Sequence, residues 1–107
     1  MNQQIIAISW SHYQTPLNFR DKLSLSRNEI KQCIPLILSE DQILELAVLS
    51  TCNRIEYYAL AESSVHVLNA IKNLNSNILK RNIRWHQSAP KIYIGIDVVL
   101  HLCRVAA

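Results

Sequence analysis

The groups best suited to chemistry lie together in one short polar stretch, which consists of Ser50, Thr51, Cys52, Asn53 and Arg54. This stretch separates two mainly apolar runs, residues 44–49 and residues 55–60. Two apolar runs joined by a few turn-tolerant residues are typical of antiparallel strands connected by a hairpin. We therefore expect Cys52 on the turn, with Asn53 in the left-handed backbone conformation that a tight turn requires. A cysteine retained for packing is expected inside an apolar run instead.

A cysteine on such a turn is a candidate nucleophile, because the thiolate is favoured by nearby cations and backbone N–H donors. Arg54 is always protonated, and it could stabilise the thiolate or bind a substrate carboxylate through its planar set of donors. Ser50, Thr51 and the turn amides are candidate donors to the oxyanion formed when a thiolate attacks a carbonyl. Taken alone, these residues fit an incidental cysteine on a polar turn equally well, since short motifs often match by chance.

Two histidines are further candidates. His12 follows the first predicted strand, in a stretch (residues 11–21) that we expect to be a loop. From the sequence of this stretch alone, we expect His12 to be a turn histidine that forms hydrogen bonds to its own backbone. His101 lies on the last predicted helix among apolar neighbours, where a histidine is usually a hydrogen-bonded core or boundary residue. Its neutral imidazole could also orient an acyl group or transfer protons near Cys52.

Composition restricts the class of protein. A chain of 107 residues and 12.3 kDa with 50% hydrophobic residues predicts one globular domain. The net charge of +3 permits contact with an RNA backbone without requiring it. Three widely spaced cysteines indicate free thiols in a reducing cytosol, and without a CxxC-type pair we expect no metal site. No secretory leader or long apolar span is evident, so we expect a cytoplasmic protein without membrane contact.

Apolar spacing and capping signals predict the elements. Residues 5–10 form a first strand, and Ser26 with Glu29 forms a capping box that opens a helix with Cys33 on its apolar face. After the hairpin, Ser63 or Ser64 caps a second helix whose apolar stripe begins at Val65.

The chain then continues through a basic segment, residues 80–91, that either contacts RNA or is a solvated loop anchored by its tryptophan. A fourth strand, residues 92–94, precedes a helix capped by Asp97. This order predicts an α+β fold of the split βαβ (ferredoxin-like) type, an antiparallel sheet with helices on one face plus a C-terminal helix.

Three motifs resemble those of one enzyme family, glutamyl-tRNA reductase, which opens tetrapyrrole synthesis. The central loop is the most specific of them, and it runs from Ser50 to Glu56. The first supporting motif is an amino-terminal pattern formed by Ser11, His12, Pro16, Arg20, Asp21, Lys22 and Leu23. The second resembles the helix that enters a later family segment, and it comprises His101, Leu102 and residues 104–107. The resemblance thus extends over nearly the whole chain.

The resemblance implies a covalent mechanism. Cys52 would attack the ester carbonyl of glutamyl-tRNA(Glu), and NADPH would then reduce the thioester to glutamate-1-semialdehyde. Thr51, Asn53 and Arg54 would line the substrate site, with Arg54 pairing with the glutamate carboxylate. The same resemblance places His101 among the residues important for activity and His12 near them.

The chain also departs from the family. With one glycine it has no Gly-x-Gly-x-x-Gly turn, so we expect residues 1–107 to form a single catalytic domain without the NADPH-binding and dimerisation domains. The implied partners are glutamyl-tRNA(Glu) and, for full-length relatives, a second copy in a homodimer, but not DNA. The competing hypothesis is a non-catalytic ferredoxin-like module that binds RNA or a protein, with an inert Cys52.

Overall fold

A computed structural model describes residues 2–39 and 42–107, which form a sheet covered by helices. The strands are β1 (Gln4–Ser11), β2 (Ile43–Ser50), β3 (Arg54–Ala61) and β4 (Lys91–Ile94). The α-helices are α1 (Leu17–Leu23), α2 (Arg27–Leu38), α3 (Ser64–Asn73) and α4 (Ile96–Ala106). Between α3 and β4 lie a π-helical turn, Leu74–Ile78, and a short 3₁₀ turn, Trp85–Gln87.

The sheet has the strand order β2-β3-β1-β4, and every neighbouring pair is antiparallel. The central strands β1 and β3 pair along their whole length, from Gln4 opposite Ala61 to Ser11 opposite Arg54. This order confirms the predicted α+β fold of the split βαβ type. The predicted strands and the hairpin between β2 and β3 are also confirmed.

The two faces of the sheet carry different layers, because successive side chains of a strand point to opposite sides. On β1, Ile6, Ile8 and Trp10 are buried in the main hydrophobic core together with residues of α1, α2 and α3. The opposite face of the sheet carries α4, whose His101 contacts side chains of β3 and β4. The helices of the core thus share one face, as predicted, and the C-terminal helix covers the other.

Helix α2 begins where its capping box predicts. The Ser26 hydroxyl accepts a hydrogen bond of 3.1 Å from the Glu29 backbone N–H, and the Glu29 carboxylate accepts one of 2.9 Å from the Ser26 N–H. Cys33 and Ile37 form its buried stripe, so the prediction of a core cysteine at position 33 is confirmed. Pro35 lies inside the helix on its exposed side, and the helix ends three residues later.

Three sequence predictions were wrong in detail. The expected loop of residues 11–21 contains the start of α1, which begins after Pro16 and buries Phe19 and Leu23 one turn apart. The predicted apolar stripe of α3 was wrong at its first residue, because Val65 is 62% exposed and the buried side of the helix includes Val67 together with the predicted Ile71.

The predicted cap of α4 was wrong too. The N-cap is Gly95 at φ 64 and ψ −129. Asp97 lies inside the first turn, where its carboxylate interacts favourably with the positive end of the helix dipole.

No helix within the described residues is long and apolar enough to cross a membrane.

Candidate functional site

The hairpin turn that carries Cys52 is closed by a threonine side chain. The Thr51 hydroxyl oxygen accepts hydrogen bonds of 3.2 Å from the backbone N–H groups of Asn53 and Arg54. The Thr51 N–H donates to the Arg54 carbonyl at 2.9 Å. The expectation of a left-handed Asn53 was wrong, because these bonds close the turn without it; in the described ranges the non-glycine residue at positive φ is Lys80. Cys52 is exposed, as predicted.

This turn is anchored by Arg20, which lies on α1, and by His12, which lies in the loop before α1. The Arg20 guanidinium donates to the carbonyl oxygen of Cys52 through Nη1, and to that of Thr15 through Nε at 3.1 Å. The backbone N–H of His12 donates to the Asn53 carbonyl at 2.7 Å. Arg20 is therefore a cation held against the cysteine backbone, in the place where the sequence suggested Arg54.

A hollow of about 310 Å³ adjoins the cysteine, lined by Arg20, Asp21, Ser24, Leu25, Ser50, Thr51 and Cys52. The Ser50 hydroxyl oxygen accepts a 2.9 Å hydrogen bond from the Leu25 N–H, so it holds the segment between α1 and α2 to the end of β2. The backbone N–H of Cys52 forms no hydrogen bond to any described residue. It is thus the turn amide best placed to stabilise an oxyanion.

The Arg54 side chain lies on the other face of the sheet, against Glu56. One guanidinium nitrogen lies 3.2 Å from Oε2 of Glu56. This carboxylate is fully buried, and its Oε2 also accepts from the Ser9 hydroxyl at 2.6 Å and lies 2.6 Å from Nε2 of His101. The Tyr58 hydroxyl donates to Oε1. We call these five residues the Glu56 network.

The network keeps the carboxylate ionised. Burial opposes ionisation of Glu56, but the hydrogen bonds from Ser9, Tyr58 and His101 outweigh it and hold the pKa of the carboxyl below its usual value. Burial and the hydrogen bond to Glu56 raise the pKa of Tyr58, so its hydroxyl remains a donor. Glu56 is thus a buried anion with a complete set of donors, the condition under which a buried charge is tolerated.

His101 is fixed in orientation as well as in position. Its imidazole stacks on the Tyr93 ring at a centroid distance of 4.1 Å and an interplanar angle of 18°. The Tyr58 ring lies at 6.5 Å on a similar plane. The residue is 6% exposed, and its exposed part lines a cavity.

That cavity has a volume of about 320 Å³ and lies between α4, β4 and the end of β1. Its lining consists of Ser11, Tyr13, Gln14, Arg54, Lys91, Tyr93, His101, Arg104 and Val105. Its lining includes three basic side chains and no carboxylate. A concave site of this size with convergent cations suits a small anionic group.

The residues predicted from the sequence thus divide into two groups. Cys52, Ser50 and Thr51 line the hollow beside α1, whereas Arg54 and His101 line the cavity beside α4. The turn itself lies between the two. The exposed His12 ring packs at a tilt of 35° against Tyr13, a residue of the cavity, at a centroid distance of 4.1 Å.

Sequence reasoning missed Glu56 and Arg20 as site residues, and it assigned Lys91 to a possible RNA-contacting segment and not to this cavity. Glu56 had a readable signal, since a single carboxylate inside an apolar strand needs a buried partner. Arg20 entered only as part of a family resemblance, and its contact with Cys52 joins residues that are 32 positions apart in the chain.

In residues 2–39 and 42–107, no group of three or more His, Cys, Asp or Glu side chains could hold a metal ion.

The chain matches one known protein family. The model of the family described as glutamyl-tRNAGlu reductase, N-terminal domain, matches residues 8–107. The match includes the second half of β1, the hairpin turn with Cys52, the Glu56 network and α4. Because nearly the whole chain is covered, the protein belongs to the glutamyl-tRNA reductase N-terminal domain family.

Proposed function

We propose that this chain accepts the glutamyl group of glutamyl-tRNA(Glu) on Cys52, as the first half-reaction of a glutamyl-tRNA reductase in tetrapyrrole synthesis. The Cys52 sulfur forms a bond to the ester carbonyl carbon, and the bond between that carbon and the ribose oxygen breaks. The thiol proton ends on the ribose hydroxyl of the released tRNA. The product is a glutamyl thioester, which is easier to reduce than the original oxygen ester.

The observation that carries this proposal is the exposed position of Cys52 on an anchored turn. Its thiol is open to a large substrate, and the bonds from Arg20 and His12 limit the movement of the turn backbone. The free N–H of Cys52 is available to the oxyanion that forms during attack. A nucleophile, an oxyanion donor and a rigid support are thus present together.

The cavity beside α4 suits the glutamate carboxylate. Arg54 shares its charge with Glu56, whereas Lys91 and Arg104 form no ion pair with any described residue. Cys52 and Arg54 are two residues apart, so their Cα atoms are separated by at most about 7 Å. In this proposal an acyl group on Cys52 extends around the turn and directs its carboxylate toward the cations of the cavity.

Reduction by NADPH is proposed to use groups outside these 107 residues. The chain contains one glycine, Gly95, which serves as the N-cap of α4. A dinucleotide-binding turn needs several glycines so that the backbone can approach the pyrophosphate. The residues present therefore do not fit this cofactor.

Mass spectrometry after incubation with glutamyl-tRNA(Glu) tests the proposal. We expect a mass increase equal to one glutamyl group, located on the peptide that contains Cys52 and removed by hydroxylamine. Cys52→Ser should lose the thioester, and Cys103→Ser is the matched control, since Cys103 is the other exposed cysteine. Equal labelling of both cysteines, or none, would contradict the proposal and favour a non-catalytic binding module.

A further inference from the structure

We propose that Glu56 is a positioning residue, which holds His101 in the tautomer whose Nδ1 accepts a hydrogen bond from the α-ammonium group of the bound glutamyl moiety. The ammonium contact rests on the function proposed above, whereas the tautomer follows from the geometry of the Glu56 network. Glu56 itself does not line the cavity and is fully buried. It therefore acts on a ligand only through the histidine.

The carboxylate determines which imidazole nitrogen carries the proton. Nε2 of His101 lies 2.6 Å from Oε2 of Glu56, and an ionised carboxylate can only accept. Nε2 must then carry a hydrogen, and in the neutral ring Nδ1 is left with its lone pair. Nδ1 forms no hydrogen bond to any described residue.

The carboxylate cannot easily rotate away from the histidine. Ser9 and Arg54 bind the same oxygen as His101, and Tyr58 binds the other, so donors from two strands determine its plane. The Tyr93 ring then restrains the imidazole from one side. The acceptor nitrogen of His101 is thus fixed relative to the cavity before any ligand arrives.

The ligand chemistry follows from the complementary charges of the cavity. Arg54, Lys91 and Arg104 are donors only, and they suit a carboxylate. A neutral imidazole backed by an anion is an acceptor, and it suits a cationic donor. A small molecule that carries both a carboxylate and an ammonium group, such as a glutamyl group esterified to tRNA, meets both requirements.

The tautomer is tested by ¹⁵N NMR of histidine-labelled protein, with spectra recorded at increasing pH until the ring signals no longer change. We expect the pattern of a neutral ring protonated at Nε2, with a low-field Nε2 proton that moves upfield in Glu56→Gln. Ser9→Ala is the matched control, because it removes another donor from the same oxygen and leaves the carboxylate. A wild-type ring protonated at Nδ1 would overturn the inference without any need for a variant.

The ammonium contact is tested by comparing the acylation of Cys52 by glutamyl-tRNA and by N-acetylglutamyl-tRNA. We expect wild type to prefer the free amine and Glu56→Gln to lose about tenfold of that preference, the difference between a charge-assisted and a neutral hydrogen bond. An unchanged preference in a folded Glu56→Gln protein overturns the ammonium contact. A wild type that forms no thioester overturns the proposed function together with this contact, and the NMR spectrum still decides the tautomer.

Discussion

Truncation of Glu56 is the sharpest test of how this fold is held together. The Glu56→Ala change removes the one acceptor shared by the side chains of Ser9, Arg54, Tyr58 and His101. It leaves four donors, drawn from β1, β3 and α4, facing a small cavity. The contact between the sheet and α4 should weaken more than the main core, because Glu56 lies on the α4 face.

The size of the loss follows from the burial of this carboxylate. Removing one partner of a buried ion pair typically costs about 3–5 kcal/mol, because the remaining charge is left without compensation. Arg54 keeps a 15% exposed side chain and can regain water, so the loss should not exceed this range. One kcal/mol lowers the melting temperature of a domain of this size by about 4 °C or more, so we expect a fall of at least about 12 °C.

Thermal and urea denaturation followed by circular dichroism measure this loss. Glu45→Ala is the matched control, since Glu45 is an exposed carboxylate on β2 that forms no ion pair with any described residue. Its effect should stay within about 0.5 kcal/mol. If Glu56→Ala lost no more than the control, the Glu56 network would have no structural role and the reasoning would fail.

The lowered pKa of Glu56 predicts how the stability of the folded protein changes with pH. The pKa of Glu56 lies below the ordinary value of 4.5, so the folded chain releases this proton more readily than the unfolded chain. The stability it contributes is complete above pH 4.5 and is lost as the pH falls through the folded pKa. The stability difference between wild type and Glu56→Gln should therefore shrink on acidification below that value, and a difference that grew would contradict the assignment.

Three further changes test other parts of the structure. Gly95→Ala should lower the free energy of unfolding by about 1–3 kcal/mol, purely through backbone strain, because a methyl group there meets no atom within 4 Å; an unchanged urea midpoint would refute this. Ser26→Ala should cost about 1 kcal/mol by removing the cap on Glu29, and Ser26→Asp should restore most of it. Arg20→Lys should keep the charge beside Cys52 but lose the paired contacts of the guanidinium, so thioester formation should slow while the melting temperature changes little.

Local patterns in the sequence determined most of the secondary structure. The two apolar runs on either side of the turn predict β2 and β3, because short apolar runs joined by a few turn-tolerant residues are typical of a hairpin. The pair Ser26 and Glu29 predicts the start of α2, since both partners lie within one helical turn. The exposure of Cys52 follows from its place between two apolar runs.

The tertiary structure alone decided how the site is assembled. Glu56 and His101 lie 45 residues apart, and they meet because α4 folds back over the face of the sheet opposite the main core. Periodicity shows which side chains share a face of a strand, but it does not show which helix covers that face. The tertiary structure also decides two other features of the site. These are the contact of Arg20 with the cysteine turn and the grouping of cations around the cavity, and both depend on the order of strands in the sheet.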